Sequence, residues 1–276
     1  MKEISLTDEI SARPFLRWAG GKTWLIKHLK NVKKSGFNRY HEAFLGGGAT
    51  YFYLRPPSHS YLSDLNGELI ETYQAVKENV EDVIEKLRRF KNEENSYYQT
   101  RETKYSDRIE RAAQFIYLNQ TSFNGIYRVN LKGKYNVPFG FRKKEFIEVE
   151  TLRNASRALA NTTLFQSDFY SILENVRRGD LVFLDPPYTV SHNNNGFIKY
   201  NEKIFSLGDQ HRLSNLIDEI KRKDAHYILT NAAHATIDEI FGKGDNKLEL
   251  SRGSTIGGKE AERGQTSEFI FTNIDL

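Results

Sequence analysis

The sequence predicts an open α/β sheet with helices on both faces, interrupted at roughly 75–160 by a mostly helical insert that carries a β-hairpin. Three observations predict it. Short apolar runs of strand character alternate with helical patterns on both sides of the insert. Between about 78 and 121 the pattern turns helical and highly charged, with Ile109, Ala112, Ala113 and Ile116 spaced i, i+3, i+4, i+7 along one stripe. Residues 122–142 then change character: Gly125, Gly133 and Gly140, alternating apolar positions and several cations read as a hairpin or extended loop.

Each element has a local reason. Residues 1–13 read as a loose polar lead. Tyr40–Phe44 and Ser60–Asp64 read as short strands, with Gly46-Gly47-Gly48 between them. Asn66 is placed to cap a helix whose Leu69, Ile70, Tyr73 and Val76 share one face. After Thr151 a helix leads into a strand at Thr162–Gln166, and Leu181-Val182-Phe183-Leu184 reads as a buried strand. Ser206 to Asp209 resembles a capping box, and the helix behind it turns Leu213, Leu216, Ile217 and Ile220 inward. Tyr227–Thr230 and Glu268–Phe271 complete the strands. In such a sheet ligands bind at the C-terminal ends of the strands, where the triple glycine and Asp185-Pro186-Pro187-Tyr188 both fall.

The chain has no cysteine, which excludes a disulfide scaffold and thiolate zinc sites and fits a reducing cytosol. The mean hydropathy is −0.62, and no apolar run approaches the ~20 residues that span a bilayer. The expectation is a cytoplasmic protein without a signal peptide or membrane segment. The net charge of +4 permits a nucleic-acid partner without requiring one.

Asp185-Pro186-Pro187-Tyr188 makes a clamp for a flat, amine-bearing ring. The acid and the Pro186 carbonyl accept the two protons of an exocyclic amine, and Tyr188 stacks on the base. The plain alternative is a strand followed by a proline turn. Glycines after a strand, in Glu42-Ala43-Phe44-Leu45-Gly46-Gly47-Gly48, let backbone approach a bulky ligand. Asp64 lies near the ~20-residue offset at which an acid meets a ribose hydroxyl. A dinucleotide motif would need glycine at Tyr51, so a nucleoside-type cofactor is favoured. Gly21-Lys22-Thr23 resembles the end of a phosphate loop, but Leu16 stands where its first glycine belongs. Trp18 and Lys22 read either as a lid over a cofactor or as a helix start with a core tryptophan. Asp168-Phe169 reads equally as an adenine contact or as a helix cap. Phe123, Asn124, Ile126, Tyr127, Arg128, Asn130, Lys132, Lys134, Asn136 and Pro138 offer groups that read base edges or wedge into a stack, while Arg142 to Lys144 suit phosphates. A solvated basic loop is the alternative there, and for Ser251–Gly264.

Five segments in fixed order resemble the DNA adenine N6-methyltransferases of the Dam type (D12 class), over nearly the whole chain from about Phe15. They are Trp18 to Lys22, Glu42 to Gly48, Asp64, the hairpin from Asn124-Gly125 to Pro138-Phe139-Gly140, and Asp185 to Tyr188. The resemblance implies a Rossmann-like S-adenosylmethionine methyltransferase sheet, formed by 1–74 and 161–276, with a DNA target-recognition domain at 75–160. It implies that Trp18, Lys22, Glu42, Phe44, Gly46, Asp64, Asp168 and Phe169 surround S-adenosylmethionine. Asp185, Pro186, Pro187 and Tyr188 would act on adenine, and the protein would be a monomer needing no metal. In the family pattern GATC in double-stranded DNA is the target. Arg128 then reads a guanine, Phe123 and Asn124 wedge into the stack, Ile126 and Pro138 touch thymine, and Asn130 joins the interface. Arg17 stands where the family commonly has the lysine that helps read the first guanine, and Phe123 where tyrosine is usual. The rival readings are a methyltransferase acting on cytosine N4, RNA or a protein glutamine, and a DNA-binding module without catalysis.

Overall fold

The computed structural model describes residues 12–18, 20, 22, 25–130, 133–188, 205–253 and 265–276. In chain order these form α1 (Lys30–Ser35), β1 (Tyr40–Glu42), α2 (Ala49–Leu54), β2 (Ser60–Asp64), α3 (Gly67–Leu87), α4 (Glu94–Glu102), α5 (Arg108–Thr121), α6 (Val149–Leu159), β3 (Thr162–Gln166), β4 (Leu181–Leu184), α7 (Leu207–Arg222), β5 (His226–Ala232), α8 (Ala235–Phe241), β6 (Asn246–Gly253) and β7 (Gln265–Thr272).

The strands join in one seven-stranded sheet of order β3-β2-β1-β4-β5-β7-β6. β1 pairs in parallel with both β2 and β4, and β4 with β5. β7 runs antiparallel between β5 and β6. The chain passes from β1 outward to β2 and β3 before returning to β4, so the strand order reverses between β1 and β4. Open α/β sheets bind ligands at such a reversal, beyond the carboxyl ends of the strands. The fold is the expected mixed α/β sheet with helices.

Contacts divide the chain into two compact units. One comprises Met1–Thr23, Gly46–Arg55 and Asn66–Leu164; the other comprises Trp24–Leu45, Pro56–Leu65 and Phe165–Leu276. The second holds a core in which Val182, Leu184, Tyr227 and Leu229 of the central strands pack on Leu213, Leu216, Ile217 and Ile220 of α7. The capping box on α7 is present: the Ser206 hydroxyl accepts from the Asp209 N–H at 3.1 Å, and the Asp209 carboxylate accepts from the Ser206 N–H at 2.9 Å. At the strands' N-terminal ends, buried His41 stacks on Tyr61 at 5.0 Å and its Nε2 meets Asp180 at 2.8 Å. Asp180 also accepts from Arg39 at 2.8 Å and from the Arg177 N–H at 2.9 Å.

In the first unit, Asn66 caps α3 by accepting from the Leu69 N–H at 3.2 Å. Leu69, Ile70, Tyr73 and Val76 are all buried, as their spacing predicts. On α5, Ala112, Ala113 and Ile116 are buried while Ile109 is half-buried.

The structure departs from the sequence reading in two places, the end of β1 and Ser251–Gly253. β1 ends at Glu42, so Phe44 lies beyond the strand. Residues 122–142 keep the character of a hairpin or extended loop: among the described residues, isolated antiparallel bridges join Ser122 to Phe139 and Val129 to Tyr135. At the second bridge the Asn130 N–H donates to the Lys134 carbonyl at 2.8 Å and the Asn136 N–H to the Arg128 carbonyl at 3.1 Å, and the Asn130 side chain takes the Lys134 N–H at 3.1 Å. Ser251–Gly253, read as the start of a basic loop, close β6 opposite Ser267, Thr266 and Gln265. The rest of that loop, 254–264, lies outside the described residues, as do Lys132, Ala19, Gly21, Thr23 and the polar lead through residue 11.

Candidate active site

In the sheet-bearing unit, carboxylates follow three neighbouring parallel strands. Glu42 ends β1, Asp64 ends β2 and Asp185 follows β4; Glu42 lies in register with both Leu62 and Phe183. Glu42 is buried and its Oε2 accepts from the Tyr40 hydroxyl at 2.8 Å. Asp64 is half-buried, and its carbonyl accepts from the Ser167 N–H at 3.2 Å. Phe44, half-buried, stacks on Phe169 at 5.4 Å and meets Phe205 edge-on at 5.7 Å. Acids that accept from hydroxyls and amines, beside flat apolar rings, make a set of side chains that fits a nucleoside. Among the described residues no group of three or more His, Cys, Asp or Glu side chains is arranged to hold a metal ion, and no helix is long and apolar enough to cross a membrane.

Asp168 caps the turn at Phe169–Glu174 by accepting from the Tyr170 N–H at 3.0 Å, and its two oxygens pair with Arg212 at 2.8 and 3.3 Å. Arg212 also lies over the Phe169 ring at 4.8 Å. Phe169 is buried in the core. The cap, one of two readings open in the sequence, is thus observed.

Asp185 is half-buried at the end of β4, where its Oδ1 accepts from the Thr230 hydroxyl at 2.7 Å. Pro186 is buried and Pro187 half-buried. Tyr188 is half-buried and donates its hydroxyl to Glu268 at 2.5 Å.

In the other unit, Trp18 is half-buried, stacked against Tyr127 at 5.5 Å and Phe115 at 6.4 Å. A Cβ at Gly46, whose φ is +47°, would lie 2.8 Å from the Trp18 ring, and one at Gly47 would lie 2.9 Å from Trp18 Cβ. The glycines therefore admit the indole. The Tyr73 hydroxyl donates to the Gly46 carbonyl at 3.1 Å. Lys22 is buried, with Nζ donating to the Gly20 carbonyl at 3.0 Å.

Arg17 is fixed by its main chain: Asn119 accepts from its N–H at 2.8 Å and donates to its carbonyl at 2.7 Å. A Cβ at Gly125 would collide with Arg17 at 2.5 Å, so only glycine fits beneath that side chain. Burial, and then the charge of Arg142, lower the Arg17 pKa. Both line a cavity of about 190 Å³ with Arg13, Gln120 and Glu148.

Phe123 and Asn124 are exposed, the latter at φ +55°. Arg128 is exposed, with Nε donating to Asn136 Oδ1 at 2.8 Å and Nη2 to the Asn136 carbonyl at 3.2 Å. Ile126 is half-buried, while Asn130 and Pro138 are exposed. Sequence reasoning named Tyr127 and Asn136 only as part of the hairpin, and missed Asn119, Thr230, Arg212 and the role of Glu268. Of those missed, only Glu268 carried a signal, as an acid heading the apolar run Phe269-Ile270-Phe271.

The family described as D12 class N6 adenine-specific DNA methyltransferase matches residues 18–253. The chain is 33% identical over 279 residues to the type II methyltransferase M1.LlaDCHI of Lactococcus lactis subsp. cremoris, covering 96% of this chain and 97% of that one. It is 33% identical over 257 residues to the type II methyltransferase M.MjaIII of Methanocaldococcus jannaschii, covering 85% and 88%. It is 31% identical over 249 residues to the DNA adenine methylase of Haemophilus influenzae, covering 87% and 86%. With the carboxylates after its parallel strands and Asp185 to Tyr188 at the strand reversal, this chain belongs to the D12 class of N6 adenine-specific DNA methyltransferases.

Proposed function

We propose that the protein transfers a methyl group from S-adenosylmethionine to N6 of an adenine flipped out of double-stranded DNA, within GATC. The observation that carries this reading is the half-buried Asp185 at the mouth of β4, in the same unit as Glu42, Asp64 and the Phe44–Phe169 pair. Carboxylates and rings of that kind suit S-adenosylmethionine: Asp64 would accept ribose hydroxyls, Glu42 a polar edge of the cofactor, and Phe44 would pack on a flat ring. The bound cofactor supplies a methyl made electrophilic by its sulfonium.

The chain's own residues do the rest. Adenine N6 is a weak nucleophile because its lone pair conjugates with the ring. Asp185 and the Pro186 carbonyl accept its two N–H bonds, which favours a pyramidal nitrogen with its lone pair aimed outward. Tyr188 stacks on the base, offsetting the few kcal/mol that unstacking costs. When bound, the cofactor would supply its methyl to N6 and be left as the neutral thioether, while Asp185 and the Pro186 carbonyl hold N6 in place and the proton that N6 gives up would pass to solvent water. Acceleration comes from orientation and from fixed dipoles. For target choice, Arg128 donates to a guanine, Phe123 wedges into the stack, and Ile126 and Pro138 meet thymine. Arg17 donates to the first guanine, with fork geometry in place of a lysine point charge.

Tritium transfer onto GATC duplexes and their one-base variants, followed by digestion to nucleosides, tests the reading. N6-methyladenine made at GATC by the wild-type chain, and no product from Asp185→Ala with an unchanged fold, are the expected results. Full activity of Asp185→Ala would end this assignment.

A further inference from the structure

Two buried groups stand behind the Asp185–Tyr188 segment, and the proposed chemistry does not yet use them. Glu268 is 1% exposed and lies on β7 opposite Ala232 of β5. Because β7 runs antiparallel to β5, its early residues lie at the carboxyl end of the parallel strands. A carboxylate there is far from free: burying one is costly unless hydrogen bonds compensate it. Its Oε2 accepts the Tyr188 hydroxyl at 2.5 Å. Thr230, 0% exposed on β5, donates to Asp185 Oδ1 at 2.7 Å. Each side chain assigned to the adenine is thus tied at its polar end to a strand of the rigid sheet.

We infer that Glu268 and Thr230 are positioning residues, Glu268 fixing the plane of the Tyr188 ring and Thr230 fixing the plane of the Asp185 carboxylate. The inference rests on the reading of Asp185 to Tyr188 as the adenine clamp. Tyr188 follows two prolines and precedes a segment outside the described residues. Proline sets the backbone direction but leaves the tyrosine ring its own χ1 and χ2 freedom. An acceptor at the phenolic oxygen removes that freedom. A donor on one carboxylate oxygen does the same for Asp185, whose terminal torsion is otherwise broad. Catalysis that depends on alignment loses rate when such supports go.

Steady-state kinetics on the full chain test this. Glu268→Ala and Thr230→Val are each expected to lower kcat about 10- to 100-fold, the effect of losing one hydrogen bond to a charged group, with KM for S-adenosylmethionine unchanged. Glu268→Gln keeps an acceptor and Thr230→Ser keeps a donor, so both should recover most of the lost kcat. In a Tyr188→Phe background, Glu268→Ala should add little further loss, because the bond it breaks is already gone. If Glu268→Ala lowers kcat equally in both backgrounds, or if the alanine and valine variants keep wild-type kcat, the inference is wrong while the methyltransferase reading stands. Should Glu268→Ala not fold, Tyr188→Phe and the Thr230 pair decide: wild-type kcat in Tyr188→Phe and Thr230→Val overturns it. A wild-type chain inert on every duplex instead removes the underlying reading and this inference with it.

Discussion

A few atoms govern what single residues do here. Gly46 and Gly47 lie so close to the Trp18 indole that any Cβ intrudes on it. Gly46→Ala should cost about 1–3 kcal/mol, the usual penalty of overpacking, because φ at +47° is strained for alanine and the clash falls on a ring clustered with Tyr127 and Phe115. Urea unfolding followed by tryptophan fluorescence reads it. Arg128, proposed to read a guanine, has two of its donors taken by Asn136, so the guanidinium is presented in one direction. Arg128→Ala should weaken discrimination at one guanine by about 1–3 kcal/mol, seen as converging rates on single-base variants of the site. The glycines and Arg128 stand out in the sequence. Asn136 is legible only as one more polar residue of the hairpin and Asn119 not at all, since an asparagine's partner is chosen by a fold that local spacing does not encode.

Elements with a strong period were the legible ones. α3 and α5 bury the faces their spacing predicts, and Ser206 to Asp209 forms the cap that four letters suggest. Ser206→Ala should destabilise the protein by about 1 kcal/mol, the common cost of losing an N-cap, measured as a lowered urea midpoint with an unchanged slope. β6 was not legible. It sits at the sheet edge and reads Asn-Lys-Leu-Glu-Leu-Ser-Arg-Gly, with several exposed polar side chains and β7 as its one neighbour among the described strands. Charged residues suit an edge strand, yet the same composition marks a loop. α2, six residues after a glycine run, is too short to show a period. At the candidate site, Asp185 to Tyr188 announced itself by chemistry, whereas Thr230 and Glu268 reach it only through strand pairing that no local window contains.

For the molecule as a whole, the cluster at the foot of the sheet links stability to acidity. Burial lowers the His41 pKa below 6.5, outweighing the neighbouring Asp180. Its Nδ1 is buried with no hydrogen-bond partner, so a second N–H would stay unsatisfied. Burial opposes the Asp180 charge, but bonds from His41, Arg39 and the Arg177 N–H prevail and hold its pKa below the ordinary value. The folded chain therefore binds fewer protons than the unfolded one at both sites. His41 contributes full stability above about pH 6.5 and loses it as pH falls. The Asp180 contribution persists to lower pH, then goes as its carboxylate protonates. The Tm should fall between pH 7 and 5, and His41→Gln should flatten that fall in calorimetry. The strand order carries one more consequence, for synthesis on the ribosome. Tyr40 finds its neighbour Leu181 only after the long helical stretch between them has emerged. Until then one side of the nascent β1 lacks its mate, and closing so long a loop is slow. The growing polypeptide thus finishes helices α3 to α6 while the centre of its sheet still waits to zip together.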